Sequence, residues 1–335
     1  MARYDFASDN VAGAMPEVVE AQARYNVGFE AGYGADSVSA RAADQIRGLL
    51  DVDAEIWFAA TGTAANALAL ATLAAPHEAV IAHEHSHVAT DETGAPGFFG
   101  SGLAIQGLPG ASGRIDPAAL ERALRREDGS HHQSAAALSL TQSTEFGAVY
   151  TEAALAALIG SAKARGLKVH LDGARFANAV AAGFDPKAPG RLGVDVLVLG
   201  GTKAGSTPTE AIVLIDNTLG RRFGARLKHG GQLTSKARFL AAPWIAMLEA
   251  GAWSARAAHA GAMARRLAGA MPFPITHPVE SNAVFVEMDE ATLARLGRAG
   301  WFVYRFIDGS VRFMCSWATT AEAVDELAQT LKQLV

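Results

Sequence analysis

The sequence runs to 335 residues, half of them apolar and 19% charged, which supplies a large core, excludes disorder and fits two domains or one large α/β unit with a smaller appendage. A net charge of −5 at pH 7 speaks against a nucleic-acid footprint, and a single cysteine, Cys315, excludes an intrachain disulfide and a cysteine-based zinc site. With no apolar run near the roughly 18 residues of a membrane span and no basic-then-apolar start in Met-Ala-Arg-Tyr-Asp, the expectation is a soluble, cytoplasmic chain.

Alanine-rich stretches with helical spacing cover residues 40–50, 64–74, 117–126 and 152–165. Short apolar runs at 55–59, 79–82, 137–140, 168–171, 194–199 and 211–215 alternate with them. Runs this short and this uniformly apolar read as strands buried on both faces, so the body is predicted to be α/β with a mostly parallel central sheet. After residue 215 the rhythm changes. Residues 219–248 read as helix with Pro243 near a boundary or kink, and 254–271 as a second long helix ended by Pro272 and Pro274. A strand at 283–288, a helix at 290–298, strands around Phe302 and Val311 and a last helix from Thr320 predict a smaller α+β domain. The predicted organisation is an N-terminal segment over 1–14, a large α/β domain over 15–248 and a small C-terminal α+β domain over 249–335.

Three strand ends carry residues able to do chemistry. The strand at 55–59 runs into Ala60-Thr61-Gly62-Thr63-Ala64-Ala65-Asn66, where backbone N–H groups at a helix start sit beside two hydroxyls. That is a phosphate cradle, or simply a threonine N-cap with a glycine turn; lacking a lysine and Walker spacing, it does not fit a nucleoside triphosphate. The strand at 168–171 delivers Asp172, followed at once by Gly173-Ala174-Arg175. A buried carboxylate needs a cationic or N–H partner, so Asp172 either pairs with Arg175 or is aimed at a ligand's ring N–H. The strand ending at Leu199 is followed by Gly200-Gly201-Thr202-Lys203, whose small residues leave room for something bulky to approach the lysine amine. Ligands in open α/β sheets bind outside the carboxyl ends of strands. A phosphate cradle, a carboxylate and an accessible lysine together match the needs of pyridoxal 5′-phosphate: an anchor, a partner for the pyridinium nitrogen and a Schiff-base amine.

On these motifs, and from Phe6-Ala7-Ser8-Asp9-Asn10 to Arg312-Phe313-Met314-Cys315-Ser316-Trp317, the chain resembles the low-specificity L-threonine aldolases among the fold type I pyridoxal-phosphate enzymes, nearly end to end. The resemblance implies Lys203 as the cofactor lysine, Asp172 as the pyridinium partner, Thr61, Gly62 and Thr63 as phosphate ligands and His87 as the histidine stacked on the ring. It assigns Ser8, Arg175 and Arg312 to the substrate carboxylate, with Arg175 also among the cofactor contacts, Tyr33 to the substrate pocket and the segment 1–14 to the lining of the active site. It also implies a homotetramer, a dimer of dimers with active sites at subunit interfaces, for which the apolar stretch 239–253 offers surface. A lysine that reaches the neighbouring subunit's phosphate corresponds to Lys228, within a residue or two.

Two segments depart from the family pattern. Tyr33-Gly34-Ala35-Asp36 stands for Tyr-Gly-Asp-Asp, and Gly230-Gly231-Gln232-Leu233-Thr234-Ser235 replaces a glycine-rich segment bearing an arginine. Both touch the pocket rim and bear on substrate choice rather than reaction type. His83-Glu84-His85-Ser86-His87 fits the zincin pattern but directly follows an apolar strand, where the required helix is out of place, and no metal is expected. His131-His132 reads as a solvated turn, Cys315 as core, Trp244 and Trp253 as core or subunit interface, and Arg221, Arg222, Arg226 and Lys228 as a solvated helix face. Asp91 and Glu92 either orient the His87 ring or cap a helix.

The implied activity is that of a carbon–carbon (aldehyde) lyase, which cleaves L-threonine, L-allo-threonine and other β-hydroxy-α-amino acids to glycine and an aldehyde. An aromatic-preferring phenylserine aldolase and another fold type I enzyme, an aminotransferase or β-eliminating lyase, are the alternatives. The partners expected are these small molecules, with neither nucleic acid nor membrane. His87 is also a candidate base for the β-hydroxyl. The glycine half is expected to be recognised strictly and the aldehyde half loosely, since no polar set is assignable to the β-substituent.

Overall fold

The computed structural model describes residues 2–125 and 129–335. Within them the larger sheet has seven strands: β1 (Glu55–Ala59), β2 (Glu78–His83), β3 (Ala104–Leu108), β4 (Ser134–Thr141), β5 (Lys168–Gly173), β6 (Val196–Gly200) and β7 (Glu210–Leu214). Their order is β1-β7-β6-β5-β4-β2-β3. Strands β6, β5, β4, β2 and β3 pair in parallel, and β7 runs antiparallel to both β6 and β1. The α/β body with a mostly parallel sheet is therefore as the apolar runs predict.

The alternation along β6 shows why those runs are uniformly apolar. Leu197 and Leu199 join the core on one face, with Val18, Ile46, Leu158 and Trp244 from the covering helices. Val196 and Val198 join the core on the other, with Leu68 and Leu70 of the helix Gly62–Leu73. Both faces are buried, so both sets of side chains must be apolar. Strand β3 has no counterpart among the predicted strands. Gln106 and Gly107 interrupt its apolar character, and a Cβ at Gly107 would lie 3.1 Å from Glu84 Cα.

The chain then builds a second, antiparallel sheet from β8 (Ala283–Val286), β9 (Tyr304–Arg305) and β10 (Val311–Met314), in the order β8-β10-β9. The helices Glu290–Arg298 and Ala321–Lys332 accompany it, in the predicted β-α-β-β-α order. Its cluster includes Phe6 from the N-terminal segment. The helix Ala252–Ala270 serves both cores: Trp253 and Ala257 pack in the large one, Ala264 and Leu267 in the small one.

Two expectations need correction. Residues 219–248 do not form one helix. A short turn at Asn217–Gly220, the helix Phe223–His229 and the helix Arg238–Glu249 replace it, the break falling at Gly230 and Gly231, where Gly231 has φ +70°. Pro243 lies inside the last helix rather than at its edge; the Phe239 carbonyl that it leaves free accepts a hydrogen bond from Gln22 Nε2 at 3.2 Å. The 239–253 stretch is not a free apolar surface either. Ala241, Ala242, Trp244, Ile245, Met247 and Trp253 are buried in the chain's own core. The exposed large apolar side chains lie elsewhere, Val27, Phe29 and Tyr33 among them. The helix predicted over 117–126 is Pro117–Leu124, with Arg126 outside the described residues, as are Glu127 and Asp128 before the His131-His132 turn.

The sheet registers bring the three chemical strand ends together. Ala59 of β1 and Gly200 of β6 both lie opposite Glu210 of β7, and Gly173 of β5 lies beside Leu199. Gly200 is required by the closeness of β5 and β6, because an added Cβ would come within 2.3 Å of the Ala174 carbonyl oxygen. Gly200→Ala is expected to cost about 1–3 kcal/mol through overpacking. A lower urea midpoint at unchanged slope would show it; an unshifted midpoint would mean the two strand ends have slack.

Candidate active site

Asp172 ends its strand almost fully buried, at 2% exposure. Its Oδ1 accepts from Ala174 N at 2.9 Å and its Oδ2 from Asn66 Nδ2 at 2.9 Å. It does not pair with Arg175, the simpler of the two readings. A carboxylate offers about four acceptor sites, so Asp172 retains capacity for another donor.

Arg175 instead grips Asp9, with Nε to Oδ2 at 2.7 Å and Nη2 to Oδ1 at 3.0 Å, both residues buried. Burial alone would push the Asp9 carboxyl up, but the Arg175 charge and its hydrogen bonds outweigh that and hold it below the usual range. Asn282 adds a further donor at 3.2 Å. The pair thus fixes the N-terminal segment against the end of β5.

His87 opens a one-turn helix, His87–Thr90, after β2. Its Nδ1 lies 2.9 Å from Glu92 Oε1, and the same oxygen accepts from Asn66 Nδ2 at 2.9 Å. One amide nitrogen, on Asn66, therefore bridges Glu92 and Asp172. The carboxylate acceptor assigns the Nδ1 proton to His87 and leaves Nε2 as the other ring nitrogen. The Glu92 hydrogen bond raises the His87 pKa, and burial, partly offset by its two donors, raises that of Glu92. Glu92 orients the ring; Asp91 is exposed.

Lys203 sits on the turn Thr202–Ala204 directly after β6. That turn is held by Gly201 N donating to Glu210 Oε2 at 3.0 Å and by Thr209 N donating to Thr202 Oγ1 at 3.1 Å. Burial pushes the Glu210 carboxyl up to about 7. On the neighbouring strand end, Thr61 caps the helix Gly62–Leu73 by accepting from Ala64 N at 3.2 Å. The cap leaves the first-turn N–H groups of Gly62 and Thr63 without intrahelical acceptors, and the space off Gly62 is open. The threonine cap is thus present, and it leaves those two N–H groups available beside it.

A single cavity is lined by Lys203, His87, Ser8, Arg175, Arg312 and Glu145. Arg312 is buried, with its guanidinium 5.0 Å from the Tyr304 ring centre and 4.7 Å from that of Phe306. Its Nη2 donates to the Tyr304 hydroxyl, while its Nε has no partner. Burial, with Arg175 nearby, lowers its pKa. Ser8 Oγ accepts from Asn10 N at 3.2 Å.

Tyr33 and Lys228 are not brought to this cavity. Lys228 Nζ lies 4.7 Å from the Tyr33 ring centre, and Tyr33 lines a second cavity with Trp57 and Gln232. Gln232, in the altered glycine segment, accepts from Ala60 N at 3.0 Å and so braces the loop between β1 and the helix Gly62–Leu73. His83 ends β2, its Nε2 bonded to the Gly110 carbonyl at 3.0 Å and its Nδ1 accepting from His85 N at 3.0 Å, so the histidine run does not share one helix. Cys315 is buried, its thiol pushed up to about 12 by burial, and Trp244 and Trp253 are core. The residues that sequence reasoning left without a role are Asp9, Asn66 and Glu145. The first two lie inside quoted motifs; Glu145, in Thr144-Glu145-Phe146-Gly147, looks like any turn.

The beta-eliminating lyase family model matches residues 5–291. The chain belongs to the threonine aldolase/beta-eliminating lyase family. It is 44% identical to a low-specificity L-threonine aldolase of Pseudomonas aeruginosa over 98% of this chain and 96% of that one. A second, from a Pseudomonas species, is 43% identical over 98% and 97%. The solved threonine aldolase of Leishmania major superposes with a TM-score of 0.93 at 30% identity, covering 99% of each chain. The architecture is accordingly that of fold type I, as the resemblance implied.

In this threonine aldolase/beta-eliminating lyase family member, Glu92→Gln is expected to lower the His87 pKa, measured by NMR titration of the imidazole. A histidine whose folded pKa is raised stabilises the fold below the unfolded value of about 6.5 and loses that contribution as pH rises through the folded pKa. The stability gap between wild type and Glu92→Gln should therefore be larger at acidic than at alkaline pH. An unchanged His87 titration would dissociate the pair.

Proposed function

We propose that the protein is a pyridoxal 5′-phosphate-dependent, low-specificity L-threonine aldolase, cleaving β-hydroxy-α-amino acids to glycine and an aldehyde. The observation that carries this reading is the convergence of Lys203, His87, Ser8, Arg175 and Arg312 on one cavity beside Asp172. Relatives at 43–44% identity that bear this activity favour it over an aminotransferase.

The residues fit the cofactor by their chemistry. Lys203 would supply the amine that holds it, Thr61, Gly62 and Thr63 would donate to its phosphate, Asp172 would accept from its ring nitrogen and His87 would lie against its ring. When bound, the cofactor supplies a sink for the electron pair left at Cα. Arg312 and Ser8 bind the substrate carboxylate. Arg175, with Nε and Nη2 committed to Asp9, contributes through Nη1. Fixing carboxylate and amine orients the Cα–Cβ bond for cleavage.

The assembly is a homotetramer, a dimer of dimers. Exposure of Val27, Phe29 and Tyr33, and the stacking of Lys228 on Tyr33 away from the Lys203 cavity, support a role for these residues in a neighbouring subunit's site. The division into a segment 1–14 lining the site, a large domain 15–248 and a small domain 249–335 is supported by the two sheets, with the helix Ala252–Ala270 shared between their cores. Among the described residues no helix is long and apolar enough to cross a membrane, and a cytoplasmic location fits the single unpaired cysteine.

Borohydride reduction of the holoenzyme followed by peptide mapping should label Lys203; label on another lysine overturns the assignment. Arg312→Ala should mainly raise KM, because its charge-assisted bonds form already in the ground state, whereas Asp172→Ala should mainly lower kcat. The reverse split in steady-state kinetics would refute this division. Light scattering should find the active species oligomeric, and an active monomer at assay concentration would remove the shared-site reading.

A further inference from the structure

Glu145 is unlike the other acids in and beside the cavity. Asp9 is saturated by Arg175 and Asn282, and the exposed Asp91 is solvated. Glu145 is only 7% exposed and lines the cavity, and among the described residues its carboxylate accepts no hydrogen bond. Its nearest cation is Arg175 Nη1, at 3.8 Å from Oε2, beyond hydrogen-bond reach, and that arginine is already neutralised by Asp9. A carboxylate that opens onto a cavity without a protein donor keeps its acceptor sites for whatever enters that cavity.

The backbone keeps Glu145 where it is. Thr144 N donates to Ala148 O at 2.8 Å and Gly147 N to Thr144 O at 2.9 Å, closing a tight turn around it. Thr144 Oγ1 ties that turn to Ser112 O at 2.8 Å, and Gln142 N ties its base to Asp172 O at 2.8 Å. The carboxylate is therefore presented to the cavity from a braced loop rather than swung out to solvent.

Resting on the aldolase reading, we infer that Glu145 is the acceptor for the substrate's β-hydroxyl and takes its proton during carbon–carbon cleavage. A β-hydroxy-α-amino acid presents three polar groups. The amine goes to the Lys203 position, and the carboxylate to Arg312 and Ser8, away from a fixed negative charge. The hydroxyl remains, a donor in need of an acceptor. His87 has its Nδ1 held by Glu92, and the reading above assigns its ring to the cofactor. In the step itself the hydroxyl O–H bond breaks and its proton passes to the Glu145 carboxylate. The oxygen's pair forms the aldehyde C=O, the Cα–Cβ bond breaks, and its electron pair stays with the glycine half. The proton is then returned through the site to the glycine carbon, so no oxidant or reductant is consumed.

This revises the expectation that no polar group serves the β-substituent. The hydroxyl meets a buried charge, whereas the rest of the substituent meets Phe306 and Ile307. The hydroxyl should be recognised strictly and the remainder loosely.

The test uses the holoenzyme and three variants: Glu145→Gln, Glu145→Asp and Glu145→Ala. Cleavage of L-threonine is compared with exchange of glycine's α-hydrogen in D2O, a reaction without a hydroxyl, and equilibrium binding of L-allo-threonine with that of L-2-aminobutyrate. Loss of a general base should lower cleavage by about 10²–10⁴-fold in Glu145→Gln, with partial recovery in Glu145→Asp. Glycine exchange should persist, and the binding preference for the hydroxylated ligand should shrink. Unchanged cleavage, or cleavage and exchange falling together in Gln and Asp variants alike, overturns the role of Glu145 alone. A wild-type enzyme that exchanges glycine but releases none from any β-hydroxy-amino acid overturns the aldolase reading with it.

Discussion

The buried Asp9–Arg175 pair is the interaction on which the site's geometry rests. It joins three pieces of chain remote in sequence: the N-terminal segment, the loop after β5 and, through Asn282 and the Met314 sulfur 3.3 Å from Arg175 Nη2, the small antiparallel sheet. Neither charge is solvated, so each depends on the other. Removing one partner from a buried pair typically costs about 3–5 kcal/mol, because an uncompensated charge remains. The same contact sets the direction of Arg175, and so decides which of its nitrogens is left for the cavity.

Around this pair the polar groups form two separate systems. Asp172, Asn66, Glu92 and His87 make a continuous hydrogen-bonded row along one side. Each member fixes the next, which is how an acid at the end of β5 and an imidazole after β2 are held in register without direct contact. Lys203 belongs to the other system, a turn braced by Glu210 at the start of β7 and Thr209 just before it. The sheet is the common reference for both, since each begins within a residue or two of a paired strand end.

Much of this was legible in the sequence, for physical reasons that also mark where legibility ends. Strands buried on both faces announce themselves as short apolar runs, so six of the large sheet's strands were readable, while β3, with Gln106 and Gly107, was not. Asp172 and Lys203 stood out because a charge next to an apolar run is conspicuous. Asn66 and Glu145 did not, because a polar residue in a helix or a turn looks solvated until tertiary structure buries it. The helix anticipated over 219–248 failed for a related reason. Helical spacing persists across Gly230 and Gly231, and only the docking of Gln232 onto Ala60 shows that the chain must turn there. Pro243, expected near a boundary or kink, lies inside a helix, since its penalty depends on whether the orphaned carbonyl finds a donor, and Gln22 provides one.

The helix Ala252–Ala270 has a mechanical consequence. Its first turns are cemented into the large core by Trp253 and Ala257, and its later turns into the small one by Ala264 and Leu267. A continuous helix transmits rotation along its axis far better than a loop does, so the two cores cannot swivel as bodies on a flexible string. Any rearrangement of the small sheet is geared to the large one. Arg312 on β10 and Arg175 after β5 consequently keep their spacing as parts of one stiff frame, and the width of the cavity that both line is set by the skeleton.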